Sequence, residues 1–154
     1  MNIGEMLTQR NGVFQGVATT DSVARALGLM SAHSVSAVVV FQSLSRKDEA
    51  PLGIFTERDL VRCHIMHPDR PLEEIRVDAV MTTDLIVADP NDSVQEAMAM
   101  MMKAGIRHLP VVSRNRVVDL LALEDLVRSH VGALNQELHY LKDYITDLQD
   151  AVHD

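Results

Sequence analysis

The sequence predicts a mixed α/β (α+β) fold in which two repeated β-α-β-β-α units pack as a pseudo-two-fold pair, with an amphipathic helix at the C-terminus. Three observations lead to this prediction. The chain has 154 residues, which suits one compact domain or two small lobes that share a core. Its 47% hydrophobic and 23% charged residues are typical of a globular protein. Most of the chain can be written as two similar halves.

An internal repeat relates these halves. The segment DSVARALGLM begins at Asp21 and DSVQEAMAMM begins at Asp92, an offset of 71 residues. The segment DLVR then occurs at Asp59 and again at Asp125, an offset of 66, so the first copy has five extra residues, which we assign to the loop 42–51. Two copies are too few for a solenoid, which favours a pair in which each copy covers the apolar face of the other.

Each copy is predicted to run strand, helix, strand, strand, helix. In the second copy, residues 85–87 are predicted as a strand, residues 93–96 as a capping box that opens a helix, and Gly105 as the end of that helix. Residues 109–112 and 117–121 predict a hairpin with a short polar turn. The other predicted elements are a helix from Glu124 and, in the first copy, a strand at 16–18, a helix at 22–32, strands at 36–41 and 52–55, and a helix from Glu57.

These elements divide the chain into four predicted parts. The first unit, with an N-terminal lead-in helix, spans residues 1–66, and a linker with two prolines spans residues 67–77. The second unit spans residues 78–130, and the C-terminal helix spans residues 131–154.

Composition and motifs argue against several classes of function. The formal net charge of −8 argues against nucleic-acid binding, which needs clustered basic residues. No apolar run reaches the roughly 18 residues of a membrane-spanning helix, and residues 1–12 do not resemble a signal peptide. The single cysteine, Cys63, suits a reducing compartment, so a cytoplasmic location is expected. His64 and His67 lack the further ligands of a metal site, and no phosphate-binding glycine loop or nucleophile–base pair indicates an enzyme.

The stretch GIFTERDL, which begins at Gly53, contains the most informative motif. Thr56-x-x-Asp59 follows a predicted strand and has two interpretations. In the first, the threonine caps a helix and the aspartate complements the helix dipole. In the second, the carboxylate accepts hydrogen bonds from two neighbouring hydroxyls, as on a ribose, the helix N-terminus attracts phosphate, and Gly53 lets a flat ring approach the backbone. The residues alone leave both interpretations open.

Three segments are similar to parts of a tandem pair of cystathionine beta-synthase (CBS) domains: GIFTERDL (53–60), AVMT (79–82) and GIRHLPVV (105–112). The chain resembles a stand-alone regulatory CBS protein of bacterial type over nearly all of residues 3–130. This resemblance implies a non-catalytic sensor that binds an adenosyl ligand in a cleft between the units. It also implies that each cleft combines the aspartate-bearing turn of one copy with strands of the other copy.

The resemblance assigns one main site. Thr56 and Asp59 are expected to hold a ribose, and an apolar pair is expected to bracket the adenine. Arg107 is expected to meet phosphate, although a solvated loop is the alternative for it and for His108. The residues predicted for this site are Thr56, Asp59, the apolar pair Val87 and Ile106, the neighbouring Ala88, and Arg58, Arg107 and His108 as phosphate contacts.

A second, weaker cleft is expected around Asp125. Ala122 stands where Thr56 stands in the first copy, and Asp119 lies near the position of the expected glycine. A hydroxyl contact is thereby lost, and one hydrogen bond to a charged group is worth roughly 1.5–3 kcal/mol, or about ten-fold or more in affinity. The residues predicted for this cleft are Val17, Thr19, Ser36, Ala37 and Asp125.

The resemblance implies an adenine nucleotide as a regulatory ligand. AMP, ADP or ATP is expected ahead of NAD or S-adenosylmethionine, because Arg107 and His108 favour a phosphorylated ligand over a cationic one. The expected assembly is a homodimer that relays binding through its geometry to an unidentified protein target, without a nucleic acid or a membrane as partner. The alternative is a ligand-free dimerisation scaffold that acts through its C-terminal helix.

The C-terminal segment has an apolar seam. Its leucine, isoleucine and valine residues recur at spacings of four and three, as the a and d positions of a coiled coil do. A lone helix of this length is marginal in water, so either its own domain or a second chain must cover the seam; self-association is the interpretation that we favour. The seam residues are Leu134, Leu138, Leu141, Ile145, Leu148 and Val152.

Overall fold

The computed structural model of the protein describes residues 1–10, 14–46 and 49–153. The remaining residues include part of the predicted lead-in region, part of the predicted loop 42–51 and the last residue of the predicted C-terminal helix, and these lie outside the described residues. In chain order the helices and strands are α1 (Ile3–Leu7), β1 (Gly16–Ala18), α2 (Val23–His33), β2 (Ala37–Phe41), β3 (Gly53–Thr56), α3 (Glu57–Met66), α4 (Val94–Ala104), β4 (His108–Ser113), β5 (Arg116–Ala122) and α5 (Leu123–His153).

The first unit is a three-stranded sheet packed against helices. β1 runs parallel to β2, and β2 runs antiparallel to β3. All five residues of β2, AVVVF, are buried, because this apolar strand is covered on both faces. Val38 and Val40 contribute to the core of the first unit, whereas Val39 and Phe41 pack with Val117 of the second unit.

The second unit contains the predicted hairpin of β4 and β5. Its two-residue turn is Arg114-Asn115, with φ angles of 53° and 63°. Positive φ at both central residues is typical of a type I′ turn, whose twist matches that of the flanking strands. α4 begins after Ser93, whose side chain accepts a hydrogen bond from the Glu96 N–H at 3.2 Å, and ends at Gly105 with φ 68°. The predicted bounds of α4 are therefore confirmed.

The predicted strand at residues 85–87 is wrong. Only Ala88 pairs with β4, and it donates its N–H to the Pro110 carbonyl at 2.9 Å. In the first copy, Val39 donates its N–H to the Gln15 carbonyl at 2.9 Å. Pro110 occupies the position equivalent to Val39 at the offset of 71 residues. Because proline has no N–H to donate, the parallel ladder of the second copy stops at Ala88.

The segment that precedes each unit packs in the core of the other unit. α1 precedes the first unit, yet Ile3 and Met6 are buried in the core of the second. Likewise, Ile75 and Val77 from the predicted linker are buried in the core of the first unit. The structure thus corrects the assignment of the lead-in helix to the first unit, while the predicted domain boundaries stay a prediction.

The two units meet along β2 and the hairpin. Phe41 is fully buried there, and its ring centroid lies 6.3 Å from that of Phe14. Ser36 Oγ and His108 Nε2, one from each unit, are 2.6 Å apart and share a hydrogen bond. The predicted fold, a pseudo-two-fold pair of repeated units with a long C-terminal helix, is confirmed, and a cleft lies on each side of the Ser36–His108 contact.

α5 is one helix of 31 residues. The predicted last helix of the second unit and the predicted C-terminal helix therefore form a single element without a break. Every residue from 134 to 152 is exposed. At about 1.5 Å per residue, this part of α5 extends roughly 28 Å beyond the paired units.

Candidate functional site

A cleft of about 420 Å³ lies between the two units at the N-terminal end of α3, and we call it the first cleft. One wall comes from β3, α3 and residues 82–86, and the other comes from residues 106–110 and the start of α5. Six of the eight residues predicted for the main site line this cleft: Thr56, Arg58, Asp59, Ile106, Arg107 and His108.

Thr56 and Asp59 form a complete capping box at the start of α3. The Thr56 hydroxyl accepts a hydrogen bond from the Asp59 N–H at 3.2 Å, and Asp59 Oδ2 accepts one from the Thr56 N–H at 3.0 Å. The Thr56 hydroxyl also lies 3.2 Å from Asp59 Oδ2 and donates to it. The two residues are only 8% and 2% exposed. The capping interpretation of the motif is therefore confirmed, and the motif also lies at the cleft wall.

The other carboxylate oxygen of Asp59 is engaged as well. Asp59 Oδ1 accepts hydrogen bonds from Arg62 Nη2 at 2.6 Å and from the Thr82 hydroxyl at 2.8 Å. A carboxylate offers about four acceptor positions, and four donors reach this one. A ribose hydroxyl would therefore have to replace Arg62 or Thr82. Arg62 is the easier to displace, because its side chain is 54% exposed and can turn into solvent.

Arg62 and Thr82 were not among the predicted site residues, although both lie in or beside segments that the sequence singles out. Arg62 follows Asp59 by three residues on α3, a spacing that brings side chains together on a helix. Thr82 ends the AVMT segment, one of the three on which the resemblance rests. Its contact with Asp59 crosses 23 positions of the chain and could not be inferred from spacing.

Gly53 has a different role from the one that the sequence suggested. A Cβ atom at this position would lie 2.7 Å from Met81 Sδ and 2.8 Å from the Thr82 carbonyl oxygen. Thr82 exchanges two backbone hydrogen bonds with Ile54, at 2.9 and 3.0 Å, so the chain at residues 81–82 lies directly against β3. The glycine thus accommodates the protein's own backbone, and the expectation that it admits a flat ring is wrong.

The charged groups of the first cleft are nearly balanced. Arg58 donates to the Gly105 carbonyl at 3.3 Å, at the C-terminal end of α4, where a cation complements the helix dipole. Arg107 and Arg62 are the other two arginines among the described lining residues. Four carboxylates line the same cleft, namely Glu57, Asp59, Asp84 and Glu124.

His108 separates the first cleft from the second and lines both. Burial lowers the pKa of its imidazole below the ordinary histidine value; Arg107 acts in the same direction, and Glu124 opposes it. The ring nitrogen Nε2 is hydrogen-bonded to Ser36 Oγ at 2.6 Å. His108 is therefore a neutral wall residue near pH 7, and the structure gives no support to its predicted role as a cationic phosphate contact.

The pH dependence of stability follows from this shift. In the unfolded chain, a histidine binds a proton below about pH 6.5, whereas the folded protein resists protonation at His108. The unfolded state therefore binds more protons, and stability falls as the pH drops below about 6.5. Between pH 6.5 and 5.5 this loss is at most about 1.4 kcal/mol. We expect urea unfolding of His108→Gln to show a smaller loss over this interval, and equal losses in the two proteins would contradict the assignment.

Four predicted residues do not line the clefts. Val17 and Ala88 are almost completely buried in the two cores. Thr19 donates its hydroxyl to the Gln42 carbonyl at 3.2 Å, and Val87 is exposed elsewhere. This corrects the predicted placement of all four residues.

The walls are formed instead by the residues just before these positions. Gln15 lines the second cleft and Ile86 lines the first, and the two are equivalent at the offset of 71 residues. In each copy the residue that pairs in the sheet, Val17 or Ala88, turns its side chain into the core. The residue two positions earlier lies before the paired segment and lines the cleft.

The second cleft has a volume of about 580 Å³. Ser36, Ala37 and Asp125 line it, as predicted for the weaker site. The Ala122 N–H donates to Asp125 Oδ2 at 2.8 Å, which matches the Thr56–Asp59 backbone contact of the first copy. The hydroxyl of the first copy has no counterpart at Ala122.

Arg10 binds two carboxylates at the wall of the second cleft. Its Nε lies 3.1 Å from Asp119 Oδ2, and its Nη1 lies 3.0 Å from Asp125 Oδ2. Asp119 is equivalent to Gly53 at the offset of 66 residues, and burial raises the pKa of its carboxyl although Arg10 opposes the shift. With Glu124, three carboxylates face this one arginine among the described lining residues, which disfavours an anionic ligand. The sequence analysis missed Arg10.

Three further observations concern metal binding, membrane insertion and thiol reactivity. Within residues 1–10, 14–46 and 49–153, no cluster of three or more histidine, cysteine or acidic side chains could hold a metal ion. In the same part of the chain, no helix has both the length and the apolar character that crossing a membrane requires. Cys63 is fully buried, and burial raises the pKa of its thiol, so the reactive thiolate is disfavoured.

Two repeated units that meet along β2 and the hairpin, with a cleft on each side of their contact, define a tandem type of module. The family model described as CBS domain matches residues 15–65 and again residues 77–132. The chain belongs to the CBS domain family and contains a tandem pair, which confirms the predicted resemblance. A CBS pair is a regulatory module.

Individual relatives agree with this assignment. The mitochondrial CBS domain-containing protein CBSX3 of Arabidopsis thaliana is 33% identical over 137 residues, which cover 88% of this chain and 65% of the plant protein. The chain thus spans less than two thirds of the length of the first curated relatives that it matches. The crystal structure of the CBS domain protein NE2398 has a TM-score of 0.76 at 29% identity and covers 85% of this chain and 98% of its own.

A more distant structure contains ligands. The CBS domain pair of protein MJ0100, in complex with 5′-methylthioadenosine and S-adenosyl-L-methionine, has a TM-score of 0.71 at 19% identity. It covers 86% of this chain and 98% of its own. At this identity the similarity shows the fold alone.

Proposed function

We propose that the protein is a non-catalytic regulatory module that binds an adenine nucleotide in the first cleft. The observation that supports this most is the position of Thr56 and Asp59 at the wall of a cavity of about 420 Å³ between the units. Ligand sites of proteins commonly have volumes of roughly 300–1,000 Å³. The adenosyl ligands of the MJ0100 pair are consistent with this class of ligand.

In this proposal the nucleotide uses both units. Asp59 accepts hydrogen bonds from the ribose hydroxyls, which replace those from Arg62 and Thr82. Ile106 contacts the adenine from one side, and Ile86 takes the place expected for Val87 on the other. The released Arg62 turns into solvent, and Arg58 and Arg107 lie near the phosphate. Because the described lining carries three arginines and four carboxylates, a nucleotide with few phosphates is favoured, so AMP precedes ADP and ATP.

The test is a thermal-shift series with AMP, ADP, ATP, NAD and S-adenosylmethionine. A ligand at one hundred times its dissociation constant stabilises the folded state by about 2.7 kcal/mol. We expect a shift with an adenine nucleotide for the wild type and for Asp125→Ala, the matched variant of the second cleft. We expect none for Asp59→Ala. A wild type that responds to no ligand in the series would refute the proposal.

Arg62→Ala tests the exchange at Asp59. Since Arg62 competes for Asp59 Oδ1 and its side chain is half exposed, the ion pair is worth at most about 1 kcal/mol. We expect the variant to bind nucleotide up to about five-fold more tightly in a calorimetric titration. Unchanged or weaker binding would mean that Arg62 does not compete with the ribose.

A second candidate function is a ligand-free dimerisation scaffold that acts through α5. One observation favours it: the four donors around Asp59 already belong to the chain, and the Asp59 side chain is only 3% exposed. The thermal-shift series separates the two candidates, because the scaffold gives no shift.

The proposed partners are a second copy of this chain and a protein target. We propose a homodimer with two arrangements of its units. Bound nucleotide favours the arrangement for which it has the higher affinity, and the size of the shift is set by the difference between the two affinities. An unidentified protein target in the cytoplasm reads this change. Neither a nucleic acid nor a membrane is part of the proposal.

A further inference from the structure

The exposed edge of α5 is longer than the predicted seam. Val127 and Val131 continue the same spacing of four and three towards the N-terminus of the helix. We call Val127, Val131, Leu134, Leu138, Leu141, Ile145, Leu148 and Val152 the α5 seam. The exposed fractions of its side chains range from 39% at Val127 to 81% at Val152. The seam therefore covers more than three heptads, the length at which a heptad pattern indicates a coiled coil.

No part of the described chain covers this seam. Every residue from 134 to 152 is exposed, so α5 does not fold back on its own units. An isolated helix of this length is marginal in water, and its apolar edge favours association with another helix. The residues around the seam indicate which helix that is.

The seam residues match those of a two-stranded coiled coil. The a positions are Val131, Leu138, Ile145 and Val152, three of which are β-branched. The d positions are Val127, Leu134, Leu141 and Leu148, three of which are leucine. Among parallel coiled coils, β-branched residues at a with leucine at d favour two strands over three or four.

The flanking charges select the same arrangement. Glu137 occupies a g position and Lys142 occupies the e position five residues later. In a parallel, in-register dimer the g residue of one helix faces the e residue of the next heptad of its partner. Glu137 of each chain then lies beside Lys142 of the other, which forms two opposite-charge pairs.

An antiparallel dimer lacks these pairs. It brings g positions opposite g positions and e positions opposite e positions. Along the seam, the g residues (His130, Glu137, Tyr144 and Ala151) include no lysine or arginine, and the e residues (Arg128, Asn135, Lys142 and Gln149) include no carboxylate. The acidic residues Asp143, Asp147 and Asp150 occupy the outer f, c and f positions, away from the partner helix.

We propose that residues 127–152 pair with the same residues of a second copy of this chain, as a parallel, in-register, two-stranded coiled coil. This arrangement specifies the homodimer of the proposed function, and it does not depend on nucleotide binding. Both CBS pairs then lie at the same end of the coil. A change in the angle between the two CBS pairs of the dimer would be transmitted directly to the start of α5. Glu124 lies there and lines both clefts.

Sedimentation equilibrium of the full chain tests the seam. We expect a dimer for the wild type and for Tyr140→Asp, which changes an outer c position that is 72% exposed. We expect Leu141→Asp to raise the dissociation constant of the dimer at least a hundred-fold, so that the chain is mainly monomeric. A monomeric wild type, a trimer, or a dimer that Leu141→Asp leaves intact would overturn the proposal.

Disulfide trapping tests the direction. Leu134→Cys and Leu148→Cys are both d positions, and the native Cys63 is fully buried. In a parallel, in-register pair, each introduced cysteine faces its own copy, so both variants form covalent dimers on mild oxidation. In an antiparallel pair, at most one of the two positions can face the same position of the partner helix. Cross-linking of one variant alone, or of neither, would overturn the parallel arrangement.

Charge reversal tests the register. Glu137→Lys places two lysines side by side at each of the two contacts, and we expect the dissociation constant to rise roughly five- to thirty-fold. The double variant Glu137→Lys, Lys142→Glu restores both pairs with the charges exchanged, and we expect it to return to within about two-fold of the wild type. A double variant as weak as the single one would overturn the register. Thermal shifts with nucleotide on Leu141→Asp show separately whether the first cleft binds its ligand.

Discussion

Asp59→Ala is expected to lower the free energy of unfolding by about 2–4 kcal/mol, even without ligand. Asp59 is 2% exposed, and its carboxylate accepts four hydrogen bonds from Thr56, Arg62 and Thr82. Alanine leaves the buried Thr56 N–H without its acceptor and removes the acceptor of the partly buried Thr82 hydroxyl, whereas the exposed Arg62 can turn to water. Urea denaturation at one fixed protein concentration measures the loss.

The internal repeat supplies a matched control for this prediction. Asp125 is equivalent to Asp59, but its side chain is 21% exposed, and its contacts are the Ala122 N–H, Arg10 and a longer approach of Arg128. We expect Asp125→Ala to cost less, about 1–2 kcal/mol. If the two variants lose equal stability, the buried position of Asp59 is not the cause. If Asp59→Ala is neutral, the hydrogen-bond network around it does not stabilise the fold.

Gly53→Ala is expected to destabilise the fold by about 1–3 kcal/mol. The added Cβ would meet Met81 Sδ at 2.7 Å and the Thr82 carbonyl oxygen at 2.8 Å. The sulfur can move, but the carbonyl belongs to backbone that pairs with Ile54. The segment must therefore shift away from β3, which also moves the Thr82 hydroxyl from Asp59 and widens the first cleft. Urea denaturation measures the loss, and nucleotide titration measures the effect on the site.

Gly28→Ala is the control for the glycine prediction. Gly28 lies within α2, and a Cβ atom there would meet nothing within 4 Å. Alanine has the higher helix propensity and restricts the unfolded chain, so we expect a gain of about 0.4–1 kcal/mol. The same substitution thus has opposite signs at two glycines. A loss at both positions would mean that the close approach at Gly53 is not what distinguishes them.

The sequence predicted the elements whose determinants are local. The Ser93 cap, the Gly105 end of α4 and the Arg114-Asn115 turn each depend on hydrogen bonds or φ angles within a few residues. The same is true of the capping box between Thr56 and Asp59, which spans three residues. The repeat offset then related the two copies. The strand at residues 85–87 failed because its partner β4 carries Pro110, whose effect shows only once the two segments are aligned.

The candidate site was predicted in part for the same reason. Six main-site residues line the first cleft, because each lies on or beside an element that the sequence defines. Val17 and Ala88 were misplaced, since the direction of a side chain in a three-residue strand or an isolated bridge depends on what packs over it. Arg10 was missed because its ion pairs with Asp119 and Asp125 join the two ends of the chain.

By itself, the sequence determined that the chain folds as two copies of one unit, where α4 begins and ends, and that the C-terminal segment carries a heptad seam. Only the tertiary structure decided that the lead-in segments exchange cores and that Gly53 accommodates the Thr82 backbone and the Met81 side chain. The same is true of the hydrogen bonds from Arg62 and Thr82 to the carboxylate of Asp59. The reason is physical. Caps and periodicity arise between residues a few positions apart, whereas the acceptors left for a ligand depend on which distant segments pack against the site.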